Sequence, residues 1–286
     1  MNLLLGLLLA GCVPEPPEGG RPPEREPRAT PSAPALLVHF LDVGQGDAVV
    51  LQIPDGRAVL YDGGPSGERA LAELERLGVD SLELVVASHP HQDHIGGLVE
   101  VVRRHPPRYV MDNALSHSTL TYERFLEAVA GSGAQILEPE ARTITLGDVA
   151  FRVLEPPGVA SWGLNDNSVG LVVEHGTFTM VLAGDAEGLQ WEWWMGEGVL
   201  PWGPVAVLKA SHHGSRNGDA WEAIDRLRPA AVVIGVGADN RYGHPHPEAL
   251  TLYRAVGTEI LRTDRNGTVT VEVREGGTYE IRSERP

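Results

Sequence analysis

With 286 residues, 42% of them hydrophobic, the chain is long enough to bury a substantial core, as one large domain or two small ones. Its formal charge of −16 works against extended, sequence-independent nucleic-acid binding through a basic surface. The single cysteine, Cys12, excludes an intramolecular disulfide and a cysteine metal site. The chain opens MNLLLGLLLAGC, whose apolar run from Leu3 to Ala10 is too short to span a bilayer but suits the core of a signal peptide, expected over residues 1–12. Residues 13–35, dense in Pro, Glu and Arg, cannot bury enough apolar surface to offset their ordering entropy and are expected to form an extended tether. The folded domain is expected over 36–286.

Strand signals follow at once: LLVHFLDV, AVVLQI and AVLYDGG, separated by Gly-rich or Pro-Asp-Gly turns, read as antiparallel strands of a meander. ERALAELERLG, 68–78, has leucine at helical spacing and ends in glycine, and LELVVAS, 82–88, is a short buried strand. Further helices are expected at 95–104, 121–131, 186–195, 217–227 and 247–256. Strands are expected near 108 and 135, and at 142–154, 169–174, 177–183, 204–209, 230–235, 259–262 and 267–282. Strands and helices mixed along the whole length predict a layered α/β arrangement with sheets covered by helices.

Directly after the strand ending at 88 stands SHPHQDHIGG, with three histidines and an aspartate in six positions. In an extended segment the rings of His89 and His91 point the same way and can grip one ion, while Asp93 and His94 face a neighbouring position. The spacing therefore predicts two adjacent metal sites. Imidazole and carboxylate without thiolate suit zinc, manganese or iron. Other strand ends supply further donors. TFTMVLAGD closes on Asp185, placed to bridge two ions, VAVLKASHH closes on His212 and His213, and NRYGHPHPE adds His244 and His246. Ligands converging from one edge of a sheet are how an α/β scaffold builds a site. Lys209, the only lysine among 23 basic residues, stands beside this cluster and implies a need for a compact cation.

The order HxHxDH, Gly-Asp, His-His-Gly-Ser resembles the metallo-β-lactamase superfamily. FLDVGQGDAVVLQ, YDGG, SHPHQDHIGGL, NDNSVGLVVEHGTFTMVLAGD, LKASHHGS and RYGHPHPE resemble, more narrowly, the metallo-β-lactamase domain of the ComEC competence protein family. The resemblance covers residues 36–283 and implies an αββα sandwich, here as a freestanding hydrolase module. It implies a first ion held by His89, His91 and Asp185 with Asn167 or water, because NDNS at Asn165–Ser168 stands where many superfamily enzymes place a further histidine. The second ion would take Asp93, His94, Asp185 and one of the His-His pair, with comparison favouring His213 and leaving His212 to contact substrate. Asp62 resembles the carboxylate that orients a ligand histidine, although a turn-stabilising role suits it equally. Gln45 and Asp47 read as structural residues of a tight turn. Arg216, Arg241, His244 and His246 would hold phosphate oxygens, and Ser168 and Lys209 would lie close to the substrate.

Two ions, Zn or Mn, would acidify a shared water that Asp93 orients or deprotonates, while one of His212, His244 or His246 stabilises the leaving group. The expected activity is that of a phosphodiesterase or nuclease, single-stranded DNA being one candidate substrate. The alternative is hydrolysis of a lactam, a thioester or a choline phosphoester of an envelope polymer. LAGC resembles a bacterial lipobox, which implies lipidation of Cys12 and tethering in the cell envelope outside the cytoplasm.

Overall fold

The computed structural model describes residues 33–286. The expected signal peptide, Cys12 and most of the expected tether lie outside the described residues. The chain runs through strands β1 (Leu36–Phe40), β2 (Val49–Gln52) and β3 (Ala58–Tyr61), then helix α1 (Gly67–Arg76) and strand β4 (Leu82–Val86). Helices α2 (Gln92–Ile95) and α3 (Leu98–Arg104) lead to β5 (Tyr109–Met111), α4 (Leu120–Ser132) and β6 (Gln135–Leu137). Strands β7 (Thr143–Leu146), β8 (Val149–Leu154), β9 (Gly170–His175) and β10 (Phe178–Leu182) follow, then α5 (Gly188–Gly196) and β11 (Val207–Lys209). The chain finishes with α6 (Trp221–Leu227), β12 (Ala231–Ile234), α7 (Pro247–Ala255), β13 (Glu259–Arg262), α8 (Thr263–Asn266), β14 (Val269–Val273) and β15 (Tyr279–Ser283).

Two mixed sheets result. One has eight strands in the order β15-β14-β1-β2-β3-β4-β5-β6, and the other seven in the order β13-β12-β11-β10-β9-β8-β7. Side-chain alternation with period two sets the layering. Val49 and Leu51 enter a core that also holds Phe151, Val153, Leu171 and Val173 of the second sheet, whereas Val50 between them faces a separate core with Leu74, Val101 and Phe125 from α1, α3 and α4. A third core on the far side of the second sheet packs Val181 and Leu208 against Trp191, Trp194, Ile224 and Tyr253 of α5, α6 and α7. Helix, sheet, sheet, helix is the expected αββα sandwich.

Several boundaries differ from expectation for local reasons. The span 142–154 is a hairpin of β7 and β8 because Gly147 takes a left-handed turn at φ 59°. The span 267–282 is likewise two strands, β14 and β15, joined through Gly276 and Gly277. The helix expected from 217 begins only at Trp221, since Gly218 and Asp219 fold back beneath the preceding turn and the Ser211 N–H donates to Asp219. What matters for function is polarity. β3 to β6 run parallel in one sheet and β10 to β13 in the other, so their C-terminal ends release loops along a shared edge. Among the described residues no helix is long and apolar enough to cross a membrane.

Candidate metal centre

The loops after β4, β10 and β11 bring their histidines and carboxylates together around Asp185, which is nearly fully buried. Asp185 Oδ2 lies 3.2 Å from His94 Nε2, 3.7 Å from His213 Nε2 and 3.8 Å from both His89 Nε2 and His212 Nε2. On the first side, His89 Nε2 is 2.9 Å from His91 Nδ1, and on the second, His213 Nε2 is 3.3 Å from Asp93 Oδ2.

Hydrogen bonds at the opposite ring nitrogens fix these orientations. His94 Nδ1–H donates to Asp62 Oδ2 at 2.8 Å, His213 Nδ1–H to the Gly235 carbonyl at 2.8 Å, and His212 Nδ1–H to Glu187 Oε1 at 2.8 Å. His89 Nδ1–H donates to Ser88 Oγ at 3.0 Å, and Ser88 Oγ in turn donates to Asp62 Oδ2 at 2.8 Å. Asp62 thus orients His94 directly and His89 through Ser88, both in the segment after β4, and is fully buried. The turn that presents His212 and His213 is strained: both have positive φ, 47° and 55°. Such conformations cost of the order of 1–3 kcal/mol each and persist where surrounding structure fixes them. Here the Gly184 carbonyl accepts from His212 N–H at 3.3 Å, and the Ser211 hydroxyl donates to the Ala186 carbonyl at 2.5 Å.

The arrangement fits divalent cations. His94 Nε2 and His213 Nε2, both facing Asp185 Oδ2, are buried without a hydrogen-bond partner, a state costing about 1–3 kcal/mol per atom that a cation between them would relieve. The field points the same way. Burial opposes charge on His213, yet Asp47 and Asp185 hold its pKa up to about 10, and Asp185 and Asp62 likewise raise His94. Burial would raise Asp185 and Asp93, but neighbouring imidazoles keep both below the usual carboxylate range. A site that favours positive charge, lined by imidazole nitrogen and carboxylate oxygen, suits a borderline divalent ion.

A cleft of about 400 Å³ opens over the centre, lined among others by His91, Asp93, Asp185, His212, His213 and His244. Several expected residues stand elsewhere. Lys209 is only 1% exposed, pairs with Asp47 and donates to the Gly184 carbonyl at 3.0 Å, so it lies beneath the centre and cannot meet a substrate. Asn167 spends its amide on the Val159 and Gly163 carbonyls and the Val159 N–H, pinning that loop instead of reaching the first ion position. Ser168 Oγ donates to the Asn165 carbonyl and accepts from Asp185 N–H, behind the carboxylate and not before it. His246 accepts from Arg216 N–H and packs its edge on His244, outside the cleft lining. Arg241 is exposed and lies over the ring of Tyr242. His244 stays in the cleft, where burial and the His213, His212 and His246 rings push its pKa down to about 4, so that it is neutral at pH 7.

Four contributors were not read from the sequence as part of the site. Ser88, Glu187 and Asn165 bond ring nitrogens or their partners, and His117 lines the cleft from the loop after β5. Asp47, read as a turn residue, forms a buried group with His94, Asp185 and His213 whose donor atoms all lie within 4.8 Å of one another. It sits on the Nδ1 side of both rings, 3.8 Å from His94 Nδ1 and 3.5 Å from His213 Nδ1, and is paired with Lys209. The bare Nε2 atoms face Asp93 and Asp185 instead, so Asp47 backs the centre.

Two consequences can be measured here. Asp62→Ala leaves His94 and Ser88 without their acceptor, and the expected result is a 10- to 100-fold weaker affinity for Zn²⁺ or Mn²⁺ in competition with a chromophoric chelator. Unchanged affinity would show that Asp62 only shapes its turn. Asp219, below the His-His turn, accepts from Tyr253 Oη and Ser211 N–H, yet burial pushes its pKa up to about 6. Its folded pKa therefore exceeds the unfolded value, and the stability it contributes is fully present below about pH 4 and lost as pH rises through 6. Asn mimics the neutral form, so urea titrations of Asp219→Asn and wild type are expected to diverge in favour of the variant by roughly 2–3 kcal/mol between pH 4 and 7.5. Parallel curves would contradict this.

The sandwich and its convergent His/Asp edge define a metallohydrolase of the metallo-β-lactamase superfamily, and the chain belongs to that superfamily: its family model matches residues 41–236. Among curated proteins the chain is 29% identical to ComE operon protein 3 of Bacillus subtilis over 265 residues, covering 85% of this chain and 34% of that protein. It is 27% identical to competence protein ComA of Neisseria gonorrhoeae, covering 95% of this chain and 36% of that protein. The chain thus spans about a third of the length of the curated relatives it matches, and the ComEC-type resemblance holds over that third. Among solved structures, CmlA, a diiron β-hydroxylase from Streptomyces venezuelae, superposes with a TM-score of 0.56 at 17% identity over 85% of this chain and 55% of that one. The metallo-β-lactamase fold protein YhfI from Bacillus subtilis does so with 0.51 at 15% identity over 86% and 99%. At such identities these two likenesses speak for the fold alone.

Proposed function

We propose that this chain is a phosphodiesterase of the nuclease type, working with two divalent ions, zinc or manganese, and held at the cell envelope by lipid on Cys12. The observation that carries the reading is the placement of four imidazole Nε2 atoms within 3.8 Å of one oxygen of Asp185. His89, His91 and Asp185 would hold the first ion, and Asp93, His94, Asp185 and His213 the second. Bound there, the ions would supply Lewis-acid chemistry, polarising a phosphoryl oxygen and acidifying water.

The chain's own residues provide the rest. Asp93 lines the cleft and, with Oδ2 turned to His213, has Oδ1 to accept a proton from the attacking water. His212, held at Nδ1 by Glu187, presents Nε2 to the cleft, where in its doubly protonated form it can donate a proton to the departing oxygen, with His244 beside it at a ring separation of 5.5 Å. A cleft of about 400 Å³ has the size of a site for one small substrate unit such as a nucleotide. The competence protein ComA among its relatives supports DNA as the substrate.

The test is hydrolysis of bis(p-nitrophenyl) phosphate and single-stranded DNA by the purified protein, abolished by chelator and restored by Zn²⁺ or Mn²⁺. No turnover of either by metal-loaded protein would overturn the reading. The charge of −16 favours a second one, in which a small or surface-attached ester is cleaved, and phosphorylcholine release or nitrocefin turnover under the same conditions would select it. For the anchor, Cys12→Ala is expected to move the protein from the membrane to the soluble fraction; retention in membranes would refute it.

A further inference from the structure

Beneath the metal centre lies a buried ion pair that the reaction itself does not use. Asp47, from the loop between β1 and β2, and Lys209, the last residue of β11, are 2% and 1% exposed and joined through Asp47 Oδ2 and Lys209 Nζ. Each member reaches a different part of the centre. Asp47 stands 3.5 Å behind His213 Nδ1 and 3.8 Å behind His94 Nδ1, two rings from opposite sheets. Lys209 Nζ stands 3.9 Å behind Asp185 Oδ1 and donates to the carbonyl of Gly184, the residue that starts the Asp185 turn. The pair is wedged in place by backbone. Asp47 N–H donates to the Asp93 carbonyl at 3.1 Å and its carbonyl accepts from Gly64 N–H at 2.7 Å, while a Cβ at Gly235 would come within 2.2 Å of Asp47 Oδ1.

We propose that Asp47 and Lys209 act as one positioning unit for the metal centre, locking Asp185, His94 and His213 in the geometry that receives an ion; the inference rests on the metal-centre reading above. The physical argument is that the pair is neutral as a whole but costly to split. Removing one partner leaves a buried charge without compensation, and in this place each orphan has a damaging outlet. An unpaired Asp47 is drawn to His213 Nδ1 and pulls the ring off the Gly235 carbonyl, whereas an unpaired Lys209 closes on Asp185 Oδ1 and competes with a cation for the bridging carboxylate. Removing both leaves no orphan.

This predicts a sign that charge alone does not. If the two residues acted only through their field, Lys209→Met would make the centre more negative and bind cations tighter, and Asp47→Asn would bind them more weakly. As a positioning unit, both single variants are expected to bind Zn²⁺ and Mn²⁺ roughly 10- to 100-fold more weakly, and the double variant Asp47→Asn with Lys209→Met more tightly than either single one. Affinity is read on the full chain by competition with a chromophoric chelator, after thermal melts and circular dichroism establish the folded fraction. If Lys209→Met does not fold, Lys209→Gln with Asp47→Asn carries the same comparison.

Tighter binding by the lysine variant, additive losses in the double variant, or lower melting temperatures with unaltered affinity of the folded fraction would each overturn the inference while leaving the metal centre intact. Wild-type protein that takes up neither ion would instead overturn the metal-centre reading itself.

Discussion

On the proposed two-ion phosphodiesterase reading, Asp185→Asn is expected to disable both ion positions at once and to lower kcat/KM on a phosphodiester by roughly a thousandfold or more, about 4 kcal/mol of transition-state stabilisation. The reason lies in how many donors depend on one oxygen. Four imidazole nitrogens from two loops approach Asp185 Oδ2, one loop leaving β4 of the first sheet and the other β11 of the second. Asparagine keeps the shape but removes the charge that offsets the proposed cations, and its amide nitrogen stands either against the Lys209 ammonium or in the place of the oxygen that faces the imidazoles, where a cation needs a lone pair. The companion Asp93→Ala touches only the second position and the proton acceptor, so it is expected to spare one equivalent of metal. Elemental analysis of the purified variants, alongside turnover of bis(p-nitrophenyl) phosphate, separates the two. An Asp185→Asn protein that keeps two equivalents of metal and wild-type turnover would dismantle the proposed mechanism.

The readability of this site from sequence followed the distance between its parts along the chain. His89, His91, Asp93 and His94 lie within six positions, so their density alone announces a metal site. Layered sheets under helices were legible from the mixed strand and helix signals, and the sandwich from the resemblance of the motifs, but the run Val49, Val50, Leu51 does not reveal in sequence that Val49 and Leu51 enter one core and Val50 another. Partnerships formed only by tertiary packing were not. Nothing local to Asp47 or Lys209 shows that β1 and β11, in different sheets, deliver them to one point, so Asp47 looked like a turn residue and Lys209 like a substrate contact. Asn167 misled for a related reason. An amide among site motifs has the right chemistry for a ligand, but the 159–163 backbone has unsatisfied groups of its own and claims it first. Glu187 and Ser88 carried a faint signal, each adjoining a strand end that bears a metal donor. Only the orientation of His212 and His89 gives them meaning.

Gly97→Ala is expected to cost about 3 kcal/mol or more of folding stability, lowering the melting temperature by roughly 6–12 °C for a domain of this size. Its backbone, φ −74° and ψ −31°, is one that alanine adopts freely, so the cost comes from space and not from conformation. A Cβ there would stand 1.9 Å from the Gly63 carbonyl oxygen and 2.8 Å from its carbon, and neither atom is the end of a flexible side chain. Those backbones are tied together by hydrogen bonds from Gly97 N–H to the Gly64 carbonyl at 2.8 Å and from Gly63 N–H to the His94 carbonyl at 2.7 Å. Separating them lengthens both bonds and shifts Asp62, next to Gly63, away from the imidazole it orients. Metal affinity is therefore expected to fall with stability, by the same route as in Asp62→Ala. Gly131→Ala, exposed on α4 with nothing near its Cβ, provides the contrast and is expected to stabilise by about 0.5–1 kcal/mol through the lower entropy of its unfolded chain. Equal melting temperatures for Gly97→Ala and wild type would mean that α3 does not approach the Asp62 turn as closely as this packing requires.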